Sequence, residues 1–247
     1  MYKVAEITFR PLMELKDPAD KVDDVLYDLY KNGQILKDYI VEAKDNGEYV
    51  ATVTTTDDDS LEEKYQNAKL YRAFDDFDED IRILGDDALA VDSCHCEDHS
   101  YYILSTDPYE EASPVICGDC GKEIPLIRIP YLNYDDDYSA ILDFQNACAA
   151  MNTLWAENIN TDYAEEQITD PDSELNQKGR YIRLLLEGEL DKTVYYSVRT
   201  DLNDCFEAPS ACPICKRDLG LIKNSLTYKV CPKCSLAFAT DEEDEEK

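Results

Sequence analysis

Hydrophobic and polar positions along the chain change period several times, and each change marks an element. Tyr2 to Phe9 places Val4 and Ile7 among polar neighbours, the alternation of a strand. Pro18 to Tyr30 carries Val22, Val25, Leu26 and Leu29 at helical spacing. Two β-rich runs, Gln34 to Glu42 and Glu48 to Thr56, flank Asp45-Asn46-Gly47, a hairpin signal. Leu61 to Phe77 returns to helical steps, and Ile81 to Leu84 reads as one more strand. The predicted order β-α-β-β-α-β over residues 1–90 is that of a ferredoxin-like split sandwich, a fold that by itself names no function.

Downstream the runs shorten. Tyr101 to Leu104 and Ile124 to Ile129 are strand-like. Tyr138 to Trp155 puts Ile141, Phe144, Cys148, Met151 and Trp155 on one helical face. A second helix is predicted from Asp170-Pro171, a cap followed by proline, to Gly188, with Gly179 a candidate break at a cost of about 1 kcal/mol against alanine. Val194 to Val198 suits a strand. The chain thus reads as α+β: a ferredoxin-like unit over 1–90, a central zinc-knuckle and helical region over 91–204, a zinc ribbon over 205–240 and an acidic tail over 241–247.

Cysteine spacing carries the chemistry. Cys212-Pro-Ile-Cys215 is followed, after 15 residues, by Cys231-Pro-Lys-Cys234. Each pair fits a tight knuckle that aims two sulfurs at one ion, and two knuckles close a tetrahedron of thiolates. A redox disulfide is the competing reading, expected of one such pair, not of two. Cys94-His-Cys96 and Cys117-Gly-Asp-Cys120 form a second constellation, with Gly118 and Gly121 available for unusual backbone angles. Four thiolates on one ion is the first assignment there, and replacement of Cys94 or Cys96 by His99 is the alternative. Two structural Zn2+ ions follow. Cys148 reads as a buried small hydrophobe, and Cys205 has no assignment. The chain shows no Walker loop, no dinucleotide-binding glycine pattern and no nucleophile elbow. Both histidines sit beside the first cysteine pair, which leaves few parts for a catalytic nucleophile system. A non-enzyme is expected, with a metal-dependent hydrolase at the Cys94–Cys120 site as a third reading.

Charge then decides among binding functions. The 247 residues hold 55 Asp and Glu against 24 Lys and Arg, a net of −31, while 44% hydrophobic residues supply a core. Such a surface argues against general phosphate or anionic-lipid binding. With no basic-apolar leader and no long apolar run, the expected location is cytoplasmic, where cysteines stay reduced. The terminal cysteine module is the exception. Lys216, Arg217, Lys223, Lys229 and Lys233 face Asp218 alone, a basic island that precedes the acid run Asp241 to Glu246. The first function is therefore an acidic adaptor or inhibitor that engages a basic protein. The alternative is a nucleic-acid-associated regulator acting through the ribbon and those five cations. No membrane role is expected.

The segments Ser113-Pro-Val-Ile-Cys117-Gly-Asp-Cys120 and Ile124-Pro-Leu-Ile-Arg-Ile-Pro130 resemble a bacterial family of unknown function (domain of unknown function 2310). So do Ser173-Glu-Leu-Asn-Gln-Lys-Gly-Arg180, Tyr195-Tyr196 and the terminal ribbon. The family is described as Zn-ribbon-containing and possibly nucleic-acid-binding. The resemblance spans roughly residues 94–240. It implies metal ligation at Cys117, Cys120, Cys212, Cys215, Cys231 and Cys234. Arg180 with Tyr195-Tyr196 reads either as a site or, preferably, as the packing of the second helix on its strand.

Overall fold

The computed structural model describes residues 2–89, 92–107, 112–132, 136–200, 202, 208–223 and 227–240. They form two compact units. One comprises residues 1–93 with 125–139, and the other residues 94–124 with 140–247.

In the first unit, β1 (Lys3–Pro11), β2 (Ile35–Ala43), β3 (Tyr49–Thr55) and β4 (Phe77–Asp86) make an antiparallel sheet in the order β2-β3-β1-β4. Alternation turns Ala5, Ile7 and Phe9 of β1 inward, opposite Ala51 and Val53 of β3. Helix α1 (Pro18–Lys31) covers this face with Val22, Val25, Leu26 and Leu29, the residues whose spacing predicts it. Gly47 takes a positive φ of 85° in the β2–β3 turn.

The helix expected over 61–77 shrinks to a 3₁₀ turn, Glu63–Tyr65, and α2 (Ala68–Phe74). Buried polar groups hold the missing part in turns. Gln34 Nε2 donates to the Ser60 carbonyl, Ser60 Oγ donates to the Gln34 carbonyl, and Asn32 Nδ2 donates to the Tyr65 carbonyl. Asn67 then caps α2, its side chain accepting from the Leu70 N–H at 2.8 Å.

Residues 125–139 return to this first unit. The strand expected from Ile124 to Ile129 is instead a 3₁₀ turn, Leu126–Arg128, with buried Leu126 packed at Gly33, where a Cβ would lie 2.8 Å from the Leu126 Cβ. Arg128 pairs with the buried carboxylate of Asp57, and Tyr131 donates to Asn32 Oδ1.

The second unit holds one six-stranded mixed sheet in the order β6-β5-β7-β10-β9-β8. Its strands are β5 (Tyr102–Leu104), β6 (Val115–Cys117), β7 (Val194–Ser197), β8 (Gly220–Lys223), β9 (Thr227–Cys231) and β10 (Leu236–Ala239). The central β5-β7-β10 pairings are parallel and the flanking ones antiparallel. Helices α3 (Ser139–Ala156), α4 (Thr161–Thr169) and α5 (Glu174–Leu190) lie between β6 and β7 in the chain. The pattern missed α4, although Ala164, Gln167 and Ile168 are its buried positions at helical spacing.

Asp170-Pro171 is not the start of α5. Asp170 is the C-cap of α4, and Ser173 caps α5 by accepting from the Asn176 N–H. Asn176 Nδ2 shares its two hydrogens among the carbonyls of Gln167, Ile168 and Asp170 at the end of α4, and Ser173 Oγ also donates to the Gln167 carbonyl. Helix α5 also runs unbroken through Gly179. A Cβ there would sit 2.4 Å from the Tyr196 ring, so this glycine admits the ring where the helix meets β7. Tyr196 is fully buried, with its hydroxyl 2.6 Å from Asn176 Oδ1. Tyr195 is buried as well, on the opposite face with Ile103, Ile116, Tyr228, Val230 and Ala237. No helix among the described residues is long and apolar enough to cross a membrane.

Candidate metal centres

Two groups of four cysteines come together, both in the second unit. The sulfurs of Cys94, Cys96, Cys117 and Cys120 all lie within 4.8 Å of one another, as do those of Cys212, Cys215, Cys231 and Cys234. A tetrahedral ion with metal–sulfur bonds of about 2.3 Å needs sulfurs roughly 3.8 Å apart, so both donor sets fit a thiophilic ion such as zinc. All eight are free thiols, and Cys215 and Cys231 stand 3.5 Å apart, sulfur to sulfur. Each group has two buried and two half-buried members.

The backbone explains how the sulfurs converge. The Cys117 N–H donates to the Lys122 carbonyl at 2.9 Å, and the Gly121 N–H donates back to the Cys117 carbonyl at 2.8 Å. Cys212 repeats this construction with Arg217 and Lys216, at 2.8 and 2.9 Å. In all three Cys-x-x-Cys turns the residue after the second cysteine has a positive φ: 71° at Gly121, 59° at Lys216 and 50° at Ser235. That reversal is what returns the chain over its own sulfurs. Gly118 has a different task from the one its type suggests. A Cβ there would meet the Tyr101 ring at 2.3 Å. Cys94-His-Cys96 is shorter by one residue, and its N-terminal member is tied by a hydrogen bond from the Cys94 N–H to the Glu123 carbonyl at 2.8 Å.

His99 lies outside the four-sulfur group. Its Nε2 is 3.5 Å from Cys94 Sγ, and its ring stacks on Tyr102 with centroids 4.9 Å apart. The imidazole therefore flanks one sulfur of the cluster.

Burial makes these thiols hard to ionise in the metal-free chain. It pushes Cys94 well above the ordinary thiol range, Cys117 to about 11 and Cys234 to about 12. Cys120 and Cys215 are the counter-cases, both held below the ordinary thiol value, and the Arg217 backbone N–H points at the Cys215 sulfur and draws it down to about 7. Four crowded sulfurs cannot all carry charge without a cation, and a divalent ion supplies that charge.

The five basic residues of the terminal module are accessible to differing degrees. Lys216, Arg217 and Lys233 are exposed around the knuckles, and Lys216 Nζ donates to the Pro213 carbonyl. Lys223 is exposed on β8 and Lys229 half-buried on β9. Cys205 and the acid run 241–246 lie outside the described residues. Cys148 is buried on α3 beside a cleft of about 10 Å³, lined with Thr106, Asn152 and Arg199 among others, with room for about one water. Arg180 reaches Asp172 at 3.3 Å, and with Tyr196 packed on α5 this motif belongs to the helix–strand junction. Sequence reasoning missed the Tyr101–Gly118 and Tyr196–Gly179 approaches, because a glycine's partner ring leaves no local signal.

A family described as Domain of unknown function (DUF2310) is matched over residues 96–198, a stretch that includes Cys96, Cys117 and Cys120 and stops short of the terminal cysteines. No curated protein and no solved structure matches the chain.

Proposed function

We propose that this chain is a non-enzymatic, zinc-stabilised binding protein whose acidic surface engages a basic protein partner. On this reading the first unit is a ferredoxin-like sandwich, the terminal module is a zinc ribbon, and the eight clustered cysteines hold two structural Zn2+ ions. The element order β-α-β-β-α-β and the strand order β2-β3-β1-β4 support the first assignment. Four sulfurs fill a tetrahedral sphere and leave no position for an activated water, which supports a structural role for the metal.

The observation that carries the binding role is the exposed acid on the first unit. Asp20, Asp23 and Asp24 project from α1, and Asp78, Glu79 and Asp80 run consecutively along β4. Charge of one sign on accessible elements steers an oppositely charged partner and makes its association sensitive to salt.

The test uses two labelled probes, an oligolysine peptide and a single-stranded oligonucleotide, each titrated at low and at moderate ionic strength. Binding of the peptide that weakens as salt rises, with negligible binding of the oligonucleotide, is the expected result. The second reading, nucleic-acid association through the ribbon, is favoured by the exposure of Lys216, Arg217, Lys223 and Lys233 on one small module. It requires the reverse preference, with oligonucleotide binding lost in Lys229→Glu/Lys233→Glu.

A further inference from the structure

Strand β4 is an edge of the first sheet, and every residue of it after Phe77 is exposed. Its register with β1 sorts its side chains. Glu79, Ile81 and Ile83 stand opposite Phe9, Ile7 and Ala5, and so lie on the face that the helices cover. Ile81 and Ile83 are nonetheless 38% and 48% exposed. The cause is a mismatch of lengths. Helix α2 has seven residues, about 10 Å at ~1.5 Å each, against ten strand residues, about 33 Å at ~3.3 Å each. It reaches the Phe74–Phe9–Phe77 end of the strand and leaves the remainder bare.

Edge strands are ordinarily blunted by charged side chains, proline or bulges, and the charges on β4 are acidic apart from Arg82, which pairs with Glu6 of β1. Here the one irregularity is the register shift between Val4 and Ala5, which leaves Leu84 as an extra residue on β4. The strand from Asp78 to Ile83 stays regular. Acids bracket its two isoleucines: Asp78, Glu79 and Asp80 on one side, Asp86 and Asp87 on the other. Asp78 and Asp86 face Arg10 and Lys3 of β1, whereas Glu79, Asp80 and Asp87 have no ion pair among the described residues.

The geometry points to β4 as a strand-addition site for an extended segment with β-branched apolar residues at its centre and lysine or arginine at both ends. The open edge supplies the backbone pairing, Ile81 and Ile83 supply apolar contact, and the flanking carboxylates select the charge. A second copy of the chain is the wrong occupant. A net charge of −31 on each copy opposes self-pairing in any register, and antiparallel pairing about the Arg82–Ile83 bond would in addition set Asp78 against Asp87 and Glu79 against Asp86, as in-register parallel pairing would set each acid against itself. This assignment rests on the reading of the chain as an acidic binder and locates that binding on one strand.

The test compares two labelled peptides of equal charge on the full chain: Lys-Lys-Thr-Val-Thr-Ile-Thr-Val-Lys-Lys, and the same lysines around a Gly-Ser core. Binding of the first about tenfold or more tighter than the second is expected, with new protection of β4 amides from hydrogen exchange. Ile83→Lys and, separately, Asp80→Lys at an exposed position should each remove about tenfold from the first peptide's affinity, with the fold checked by circular dichroism. If both peptides bind equally and neither substitution matters, strand addition is overturned while the acidic reading stands. If neither peptide binds, the acidic reading falls and the site with it. Concentration-dependent dimerisation abolished by Ile83→Lys would replace the basic segment with a second copy and overturn the assignment.

Discussion

Replacing Gly179 by alanine sets helix propensity against a ring. Propensity alone favours alanine by about 1 kcal/mol inside α5. The Tyr196 ring, 2.4 Å from where the new methyl would sit, makes the substitution destabilising, because a fully buried tyrosine bonded to Asn176 has nowhere to move. Thermal unfolding should show a lower Tm for Gly179→Ala, and an unchanged or higher Tm would refute the close approach. Opposite behaviour is expected at Lys216 and Ser235, which hold positive φ without being glycine. A left-handed L-residue costs about 1–2 kcal/mol, part of which is offset by the larger chain entropy of glycine, so Lys216→Gly and Ser235→Gly should raise stability by roughly 0.5–1 kcal/mol. His99 makes a third residue-scale case. Because it flanks one sulfur and is not a member of the four-sulfur group, His99→Ala should retain two bound ions by elemental analysis, whereas Cys94→Ser should lose one.

At the scale of elements, two knuckles that face each other bring four sulfurs to within 4.8 Å, the spacing a tetrahedral cation fits. Burial holds Cys94, Cys117 and Cys234 above the ordinary thiol value near 8.5, so in the metal-free chain at neutral pH they stay protonated. Metal binding must displace those protons, and affinity falls as pH falls. Acid titration with a chromogenic chelator should release the ions progressively below neutrality. Without metal the sign reverses. An unfolded thiol ionises near 8.5 while the same buried thiol does not, so alkaline pH should favour unfolding of the metal-free chain, detectable as a denaturation midpoint that falls from about pH 8.5 upward through the values near 11 and 12 of Cys117 and Cys234. Metal retention at high pH and loss at low pH, with the metal-free chain behaving oppositely, is a pattern that a disulfide would not produce.

For the whole molecule, the terminal module is not an appendage. Strand β10 pairs with β7, and the Tyr196 and Val198 N–H groups donate to the Ser235 and Ala237 carbonyls at 2.8 and 3.0 Å. Deleting residues 205–247 would open the β7 edge in the middle of the six-stranded sheet and uncover Tyr195. The truncated chain should lose hydrogen-exchange protection across β5 and β7 while the first unit, with its own sheet and core, keeps its own. Equal protection in both chains would mean that the module contributes nothing to the sheet. The net charge of −31 acts at this scale too. It disfavours self-association through like-charge repulsion.

Spacing along the chain was enough for whatever is local. The alternation of β1, the 3.6-residue period of α1, the Asp45-Asn46-Gly47 turn and the four cysteine pairs each declare themselves within a few residues, because period and ligand spacing are properties of short segments. So the α+β class and both four-cysteine groups were legible in advance. Tertiary structure alone decided what depends on distant partners. Buried hydrogen bonds from Asn32 and Gln34 convert the predicted 61–77 helix into turns and a shorter α2. Asn176 and Ser173 divide 161–190 into two helices. Two cysteine modules that lie far apart in the chain become parts of one sheet, through pairing of β5 and β10 on either side of β7. The physical reason is the same throughout. A buried donor, an open strand edge or a ring seeking contact is satisfied by whichever group the fold brings near, and no local period records which group that will be.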